Sequence, residues 1–236
     1  METKNKELAT RQGYLMESAA DLAEENMQGI ELHYPVVKVP SGGAVSFELP
    51  GDDPDNPESV REIEGVILYH HPLRVYYEDS YDGSNTPPAC VSTDDQIGTD
   101  ADGVAHSCPS CRFSQFGSGA DGSGQACKKR RNIYLLSEGE CFPKLLSVPT
   151  GSLRSFEDYL LRLMSRGKRS GSVVTRFSLR KAENRSGIKY SQVVFTWVRD
   201  LEPAETESLR PIAEQTKAHA QSPRRGAADL DGVFDD

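Results

Sequence analysis

Four cysteines, Cys90, Cys108, Cys111 and Cys127, are spaced C-x17-C-x2-C-x15-C inside a stretch rich in Gly, Ser and Asp. A C-x2-C pair presents two thiolates from one tight turn, and the two outlying cysteines complete the four soft ligands of a tetrahedral Zn²⁺. Four thiolates leave no open coordination position, which is the pattern of a structural rather than a reacting metal. Metal binding would then supply the folding free energy that the run from Gly117 to Gly124, with no apolar residue larger than Ala120, cannot supply. His106, two residues before Cys108, is an alternative to Cys90 as a ligand. Cys141 reads as a plain thiol.

A second chemistry lies in charge. From Lys128 to Arg199 the chain carries 16 Lys/Arg and 5 Asp/Glu, a net of +11, within a whole of −9, so the remainder carries −20. Asymmetry between segments, not total charge, points to a polyanionic partner. Lys128, Lys129, Arg130 and Arg131 run directly out of the last cysteine. In 172–183, Val173, Thr175, Phe177 and Leu179 alternate with Val174, Arg176, Ser178 and Arg180, giving an apolar face and a face with two arginines. Lys168 and Arg169 precede this segment; Lys181, Arg185 and Lys189 follow it. Such cations neutralise phosphates and release counterions. Tyr134, Tyr190 and Trp197 interleave with them as candidate base-stacking rings. Phe195 and Trp197 share a face with Val193, which equally fits a core. At the end of the chain Asp229, Leu230, Asp231, Val233, Phe234, Asp235 and Asp236 form an acidic tail with an apolar tip, suited to a basic groove on a partner or on the chain itself.

Other chemistries lack their signatures. The phosphate loop G-x-x-x-x-G-K-[ST], H-E-x-x-H and G-x-S-x-G do not occur. His70 and His71 are adjacent in a strand-like run, so they face opposite ways and do not share a metal. No run approaches the roughly 18 apolar residues of a membrane span, and the N-terminus lacks an apolar signal core. The expectation is a cytoplasmic chain whose thiols stay reduced, which favours metal over disulfides.

The elements that must position these residues follow from periodicity. Residues 1–29 read as a helical arm with Leu8, Leu15 and Leu22 seven apart. Apolar β-branched runs at 34–49 and 61–78 read as strands around an acidic loop, with Pro72 limiting pairing or marking a bulge. The cysteine insertion spans 79–129. Strands at 131–137 and 143–149 are followed by a helix over 152–166, capped by Thr150 or Ser152. Strands at 172–183 and 188–200 are joined by a turn at 184–187, a second helix opens at Pro203 and runs over 203–220, and 221–236 is linker and tail. The reading is mainly β with helices: one domain, 30–202, flanked by N- and C-terminal helices. The order is that of a five-stranded oligonucleotide-binding (OB-fold) barrel, with its helix between the third and fourth strands and the cysteine module between the second and third. Other small barrels and α+β sheets share this order.

With the barrel-like order, the basic face and the acidic tail in place, the chain resembles single-stranded DNA-binding proteins of replication and recombination, over about 34–200 and the last ten residues. The segment CPSCRF…GQACKKRRNIYLL resembles zinc-bearing proteins of phages and mobile elements. Here Phe234 is followed by Asp235 and Asp236, where bacterial members end on the aromatic residue. The resemblance implies an OB-fold with structural zinc, a non-catalytic role on single-stranded DNA during phage or mobile-element replication or recombination, and a tail that meets replication or recombination proteins. A zinc-stabilised protein-interaction adaptor or a transcription or replication regulator is the alternative; a metal-dependent nuclease is a third.

Overall fold

The computed structural model describes residues 33–51, 53, 56–78, 87–120, 122–184 and 187–221; the expected helix at 1–29, Arg185 and the acidic tail lie outside the described residues. The described residues open with three short strands, β1 (Val36–Val37), β2 (Phe47–Leu49) and β3 (Glu58–Val60). β2, at the end of the expected strand run 34–49, pairs as a small antiparallel ribbon with β3, which begins inside the expected acidic loop. The organising element is β4 (Glu62–Tyr76), fifteen residues long. Its apolar residues are buried on both faces because both sides of the sheet are covered. One edge of β4 pairs with β8 (Lys128–Leu136) along most of its length. The other edge is shared: β10 (Val173–Glu183) takes Glu62–Val66, and β5 (Cys90–Ser92) takes Arg74–Tyr76.

Pro72 lies opposite Arg131 in the β4–β8 ladder, and the register shift falls between Ile67 and Tyr69. Of the two roles expected of Pro72, it marks no bulge but lies where the pairing of β4 is limited. Pro72 sits on the stretch of β4 that neither β10 nor β5 reaches, so its missing N–H costs no ladder bond on that edge.

The cysteine insertion is more ordered than its composition implies. β5, β6 (Ile97–Asp100) and β7 (Ala105–Ser107) form an antiparallel meander that extends the main sheet from the end of β4. β9 (Lys144–Val148) pairs with β8, and β1 adds to β9 in parallel. β11 (Lys189–Asp200) closes a hairpin with β10. The result is a mixed nine-stranded sheet. It does not close into the expected five-stranded barrel: β9 ends on β1, and among the described residues β11 pairs with β10 alone.

Two helices cover the sheet. α1 (Leu153–Met164) buries Phe156, Tyr159 and Leu163, spaced three and four apart on one face. They pack with Ile67, Ile133, Leu135, Leu146, Phe177, Val193 and Phe195. Neither expected cap bonds its own helix. The Ser152 hydroxyl accepts the Val193 N–H at 2.9 Å, and the Thr150 hydroxyl donates to the Lys129 carbonyl at 2.6 Å. The start of α1 is thus fastened to β11 and to β8. α2 (Pro203–Ala220) covers the opposite face, where Leu209 packs with Val66, Leu136, Val174 and Leu201, and Ala220 with Tyr34, Tyr134 and Leu145. Among the described residues no helix is long and apolar enough to cross a membrane.

Candidate functional site

The four cysteines line one cavity of ≈ 390 Å³ at the end of the sheet, together with Arg74, Tyr76, Gly98, His106, Phe113 and Ser114. Cys90 enters from β5, Cys108 follows β7, Cys111 ends the C-x2-C turn and Cys127 immediately precedes β8. The turn is held by its own backbone. Cys111 N–H donates to Cys108 O (3.3 Å), Ser114 N–H to Cys111 O (3.1 Å), and the buried Ser114 hydroxyl reaches both carbonyls at 2.6 and 2.8 Å. Cys127 N–H donates to Phe113 O (2.8 Å), which ties the last cysteine to the same turn. The Phe113 ring stacks on Tyr76, 4.0 Å between centroids.

Among the described residues no three His, Cys, Asp or Glu side chains are already drawn together as a metal-holding group. The four thiols nonetheless surround a single void, close enough to influence one another. Burial pushes the Cys127 thiol up to about 11; Arg74 lowers it and the other three thiols add to the rise. Burial, then Cys108 and Cys111, push Cys90 up as well. Gly98 supplies the fit: a Cβ there would lie 2.8 Å from Cys90 Sγ and 3.5 Å from Cys108 Sγ, so only glycine leaves room for the sulfurs. A strand-interior glycine flags such an approach, and the run QIGTD carried that signal. His106 also lines the cavity, half-exposed, with Nε2 2.7 Å from Asp100 Oδ2.

The basic residues divide into separate groups. The tetrad after Cys127 belongs to β8 itself, so it cannot present one face. Lys128 is exposed, while Arg130 is 7% exposed and donates from Nε to Ser147 Oγ at 3.0 Å. Arg131 turns the other way, donating to His70 Nδ1 at 3.0 Å. The expectation of a basic tetrad facing a groove is corrected by this strand alternation. Lys129 pairs with Asp95 at 2.6 Å, Lys168 with Asp200, and Arg176 with Glu64 at 2.7 Å and Glu62 at 3.5 Å. Part of the charge asymmetry is therefore neutralised by acids that are remote in sequence.

What the fold does assemble is a ridge of linked contacts from Lys129 on β8 to Arg180 on β10. Thr150 bonds the Lys129 carbonyl, and the Tyr190 ring lies against Gly151, where a Cβ would come within 2.7 Å. Gln192 Nε2 donates to Gly151 O at 2.9 Å, and Arg180 Nε donates to Gln192 Oε1 at 2.7 Å. Lys189 is exposed on β11 beyond them. Tyr190, Gln192 and Arg180 are thus linked through Gly151 and Thr150 to the Lys129 backbone, while the Lys129 side chain turns to Asp95. Thr150, Gly151 and Gln192 were not legible as site residues because each is uncharged and acts through backbone contacts.

Trp197 stands at the far end of β11. It shares the side-chain parity of Phe195 but is 37% exposed, with Lys168 Nζ 4.8 Å and Arg166 Cζ 5.3 Å from its ring centroid. Arg169 is exposed in the segment leading from Lys168 to β10. Tyr134 is corrected as a stacking ring: it is 1% exposed, enclosed by Tyr34, Tyr69 and His71 beneath the end of α2. Phe195 belongs to the core, as one of the two readings of its face required. His70 and His71 do face opposite ways, one against Phe156 and the other against Tyr69 and Tyr134. His71 Nδ1 lies 2.8 Å from Pro72 O and 3.2 Å from Thr93 O, so Nδ1 carries the proton.

No protein-family model, curated protein or solved structure matches this chain.

Proposed function

We propose that this chain is a non-catalytic single-stranded DNA-binding protein of phage or mobile-element replication or recombination, with a structural zinc in its cysteine module. The observation that carries the reading is the ridge of linked contacts that runs from the Lys129 backbone through Thr150 and Gly151 to Tyr190, Gln192 and Arg180, with Lys128 and Lys189 exposed near its ends. The strand order β11-β10-β4-β8-β9, with α1 between β9 and β10, matches an OB barrel opened between β9 and β11. In that order the module takes the place of the loop after the first strand, not, as expected, between the second and third, and the connection from β10 to β11 that of the loop before the fifth, the two loops such folds use to hold oligonucleotides. Cations along the ridge meet phosphates; Tyr190 is the ring placed to meet a base. Trp197 with Arg166, Lys168 and Arg169 is a second cationic-aromatic patch on the same strand. Cys90, Cys108, Cys111 and Cys127 would hold the zinc, which locks the module that leads into β8 and supplies no chemistry beyond that.

The adaptor reading is favoured by one feature, apolar side chains that no base requires: Phe116 is 85% exposed on the module, and Met164 67% exposed on α1.

Fluorescence anisotropy of labelled oligo-dT against salt tests the proposal, using the full chain, a chain ending at Gly226, and Arg180→Ala/Lys189→Ala. The wild type should bind with a steep salt slope, the double variant should flatten that slope by about 0.7 for each phosphate it no longer neutralises, and removal of the acidic tail should tighten binding. Absence of salt-sensitive binding by both the full and the shortened chain would sink the DNA reading in favour of the adaptor.

A further inference from the structure

Arg74 lies on β4 opposite Ser92 of β5 and Lys129 of β8, on the wall of the cavity that the four cysteines line. Its side chain is 12% exposed. Nε donates to Asp95 Oδ1. Nη1 is buried without a hydrogen-bond partner. A guanidinium is a rigid fork of donors that keeps its charge, and one arm left orphaned in the interior carries its desolvation cost uncompensated until a partner arrives.

Asp95, which sets the direction of that fork, is itself unusual. It has φ +65°, the only positive φ of a non-glycine among the described residues. The adjacent Asp94 fixes the turn by accepting the N–H groups of Gln96 and Ile97 at 2.8 and 2.9 Å. Asp95 thereby reaches Arg74 and Lys129 together. Backbone strain of this kind persists where the surroundings over-determine it. What it holds here is one cation against the cysteine cavity and another at the start of the basic ridge.

Four thiolates around Zn²⁺ carry a net charge of about −2, which a partly buried site must offset with donors or cations around the ligands. We propose that Arg74 is the positioning residue of this centre, its orphaned Nη1 hydrogen-bonding the thiolates of the loaded site while Asp95 anchors the other arm. This rests on the zinc reading above. Arg74 is not a ligand; it stabilises the thiolate form of the ligands and so determines how tightly, and down to what pH, the metal is held.

The test is zinc competition against a chromophoric chelator with the full-length wild type, Arg74→Met and Arg74→Lys, repeated across pH, beside thermal unfolding of each protein in excess chelator. Wild type should hold one zinc. Arg74→Met should hold it about 10- to 100-fold more weakly, with the pH midpoint of loading moved upward and little change in metal-free unfolding. Arg74→Lys, which keeps the charge without the fork, should fall between; if Arg74→Met does not fold, the lysine variant carries the comparison. Equal zinc affinity and equal pH midpoint in folded variants and wild type overturn the role of Arg74. A wild type that takes up no zinc overturns the metal centre itself, a distinct failure.

Discussion

His70 illustrates how a single buried side chain couples this fold to pH. Burial is the largest cause lowering its pKa from 6.5 to about 4, with the Arg131 guanidinium second. The lone pair on Nδ1 takes the Arg131 N–H, and the ring meets Phe156 edge-on, so a proton would break the first contact and desolvate a charge in the second. Above pH 6.5 both folded and unfolded chains carry neutral His70 and no dependence arises. Between 6.5 and 4 the unfolded chain binds a proton that the folded chain refuses, so stability falls as pH falls, by up to about 3 kcal/mol. His71 is lowered too, chiefly by burial, and acts in the same direction. Urea unfolding of wild type and His70→Gln from about pH 7 to about pH 4.5 checks this: the variant keeps an acceptor for Arg131 and should show the shallower loss. Parallel curves would mean that folded His70 accepts the proton.

At the scale of elements, the start of α2 makes a sharper claim than its surface ion pairs. Glu205 is 6% exposed, accepts the Glu202 N–H at 2.8 Å and grips Arg199 with both oxygens at 2.7 and 2.8 Å. It joins a helix cap to the end of β11. Glu207 and Arg210, one turn on, pair at 2.6 Å with both side chains more than 60% exposed. Glu205→Ala should cost about 1–3 kcal/mol, combining removal of the cap with loss of the bidentate hold on Arg199. Glu207→Ala should stay within about 0.5 kcal/mol. Denaturant midpoints of the two variants decide the matter, and similar losses would deny Glu205 its joining role. Here the sequence was informative: Pro203 announced the helix, and α1 was visible in the spacing of Phe156, Leu160 and Leu163. The strands of 172–183 and 188–200 were legible from alternation, and the turn between them from Asn184 and Gly187. The β5–β7 meander was not legible. Its strands are three or four residues long, and the cross-strand partners that make them strands leave no period in the sequence. Nor could alternation say that Arg176 would meet Glu62 and Glu64 more than a hundred residues earlier. Tyr134 looked like an exposed ring because nothing nearby in sequence foretold that Tyr34 and the end of α2 would cover it.

At the scale of the whole molecule, the body and the module draw on different sources of stability. The body rests on a continuous apolar cluster between the sheet and α1. The module contributes only Val91 to the small cluster it shares with Leu73, Val75 and Tyr77 at the end of β4, and otherwise short ladders and the cysteine turn. On the zinc reading, chelator should expose cleavage sites between Tyr77 and Cys127 while the β4–β8–β10 body survives, as limited proteolysis with mass mapping would report. Cleavage of both parts at the same chelator concentration would show instead that they melt as one unit.

The division of β4 between two partners on one edge also bears on how the chain finds its fold. Its module end pairs with β5 after a comparatively short closure, whereas its body end must wait for β10, which is synthesised about a hundred residues later. Non-local closures of the second kind slow folding. The β4–β8 ladder, meanwhile, begins at Val75 and Lys128, beside Cys127. An early-forming cysteine centre would therefore act as a ratchet for register, holding Lys128 opposite Val75 before the rest of the strand zips. A slip of one residue there would turn Ile133 and Leu135 out of the core along the whole strand. On the zinc reading, metal binding at the cysteines would thus govern whether the nascent chain commits to the right pairing or to an exposed, aggregation-prone edge.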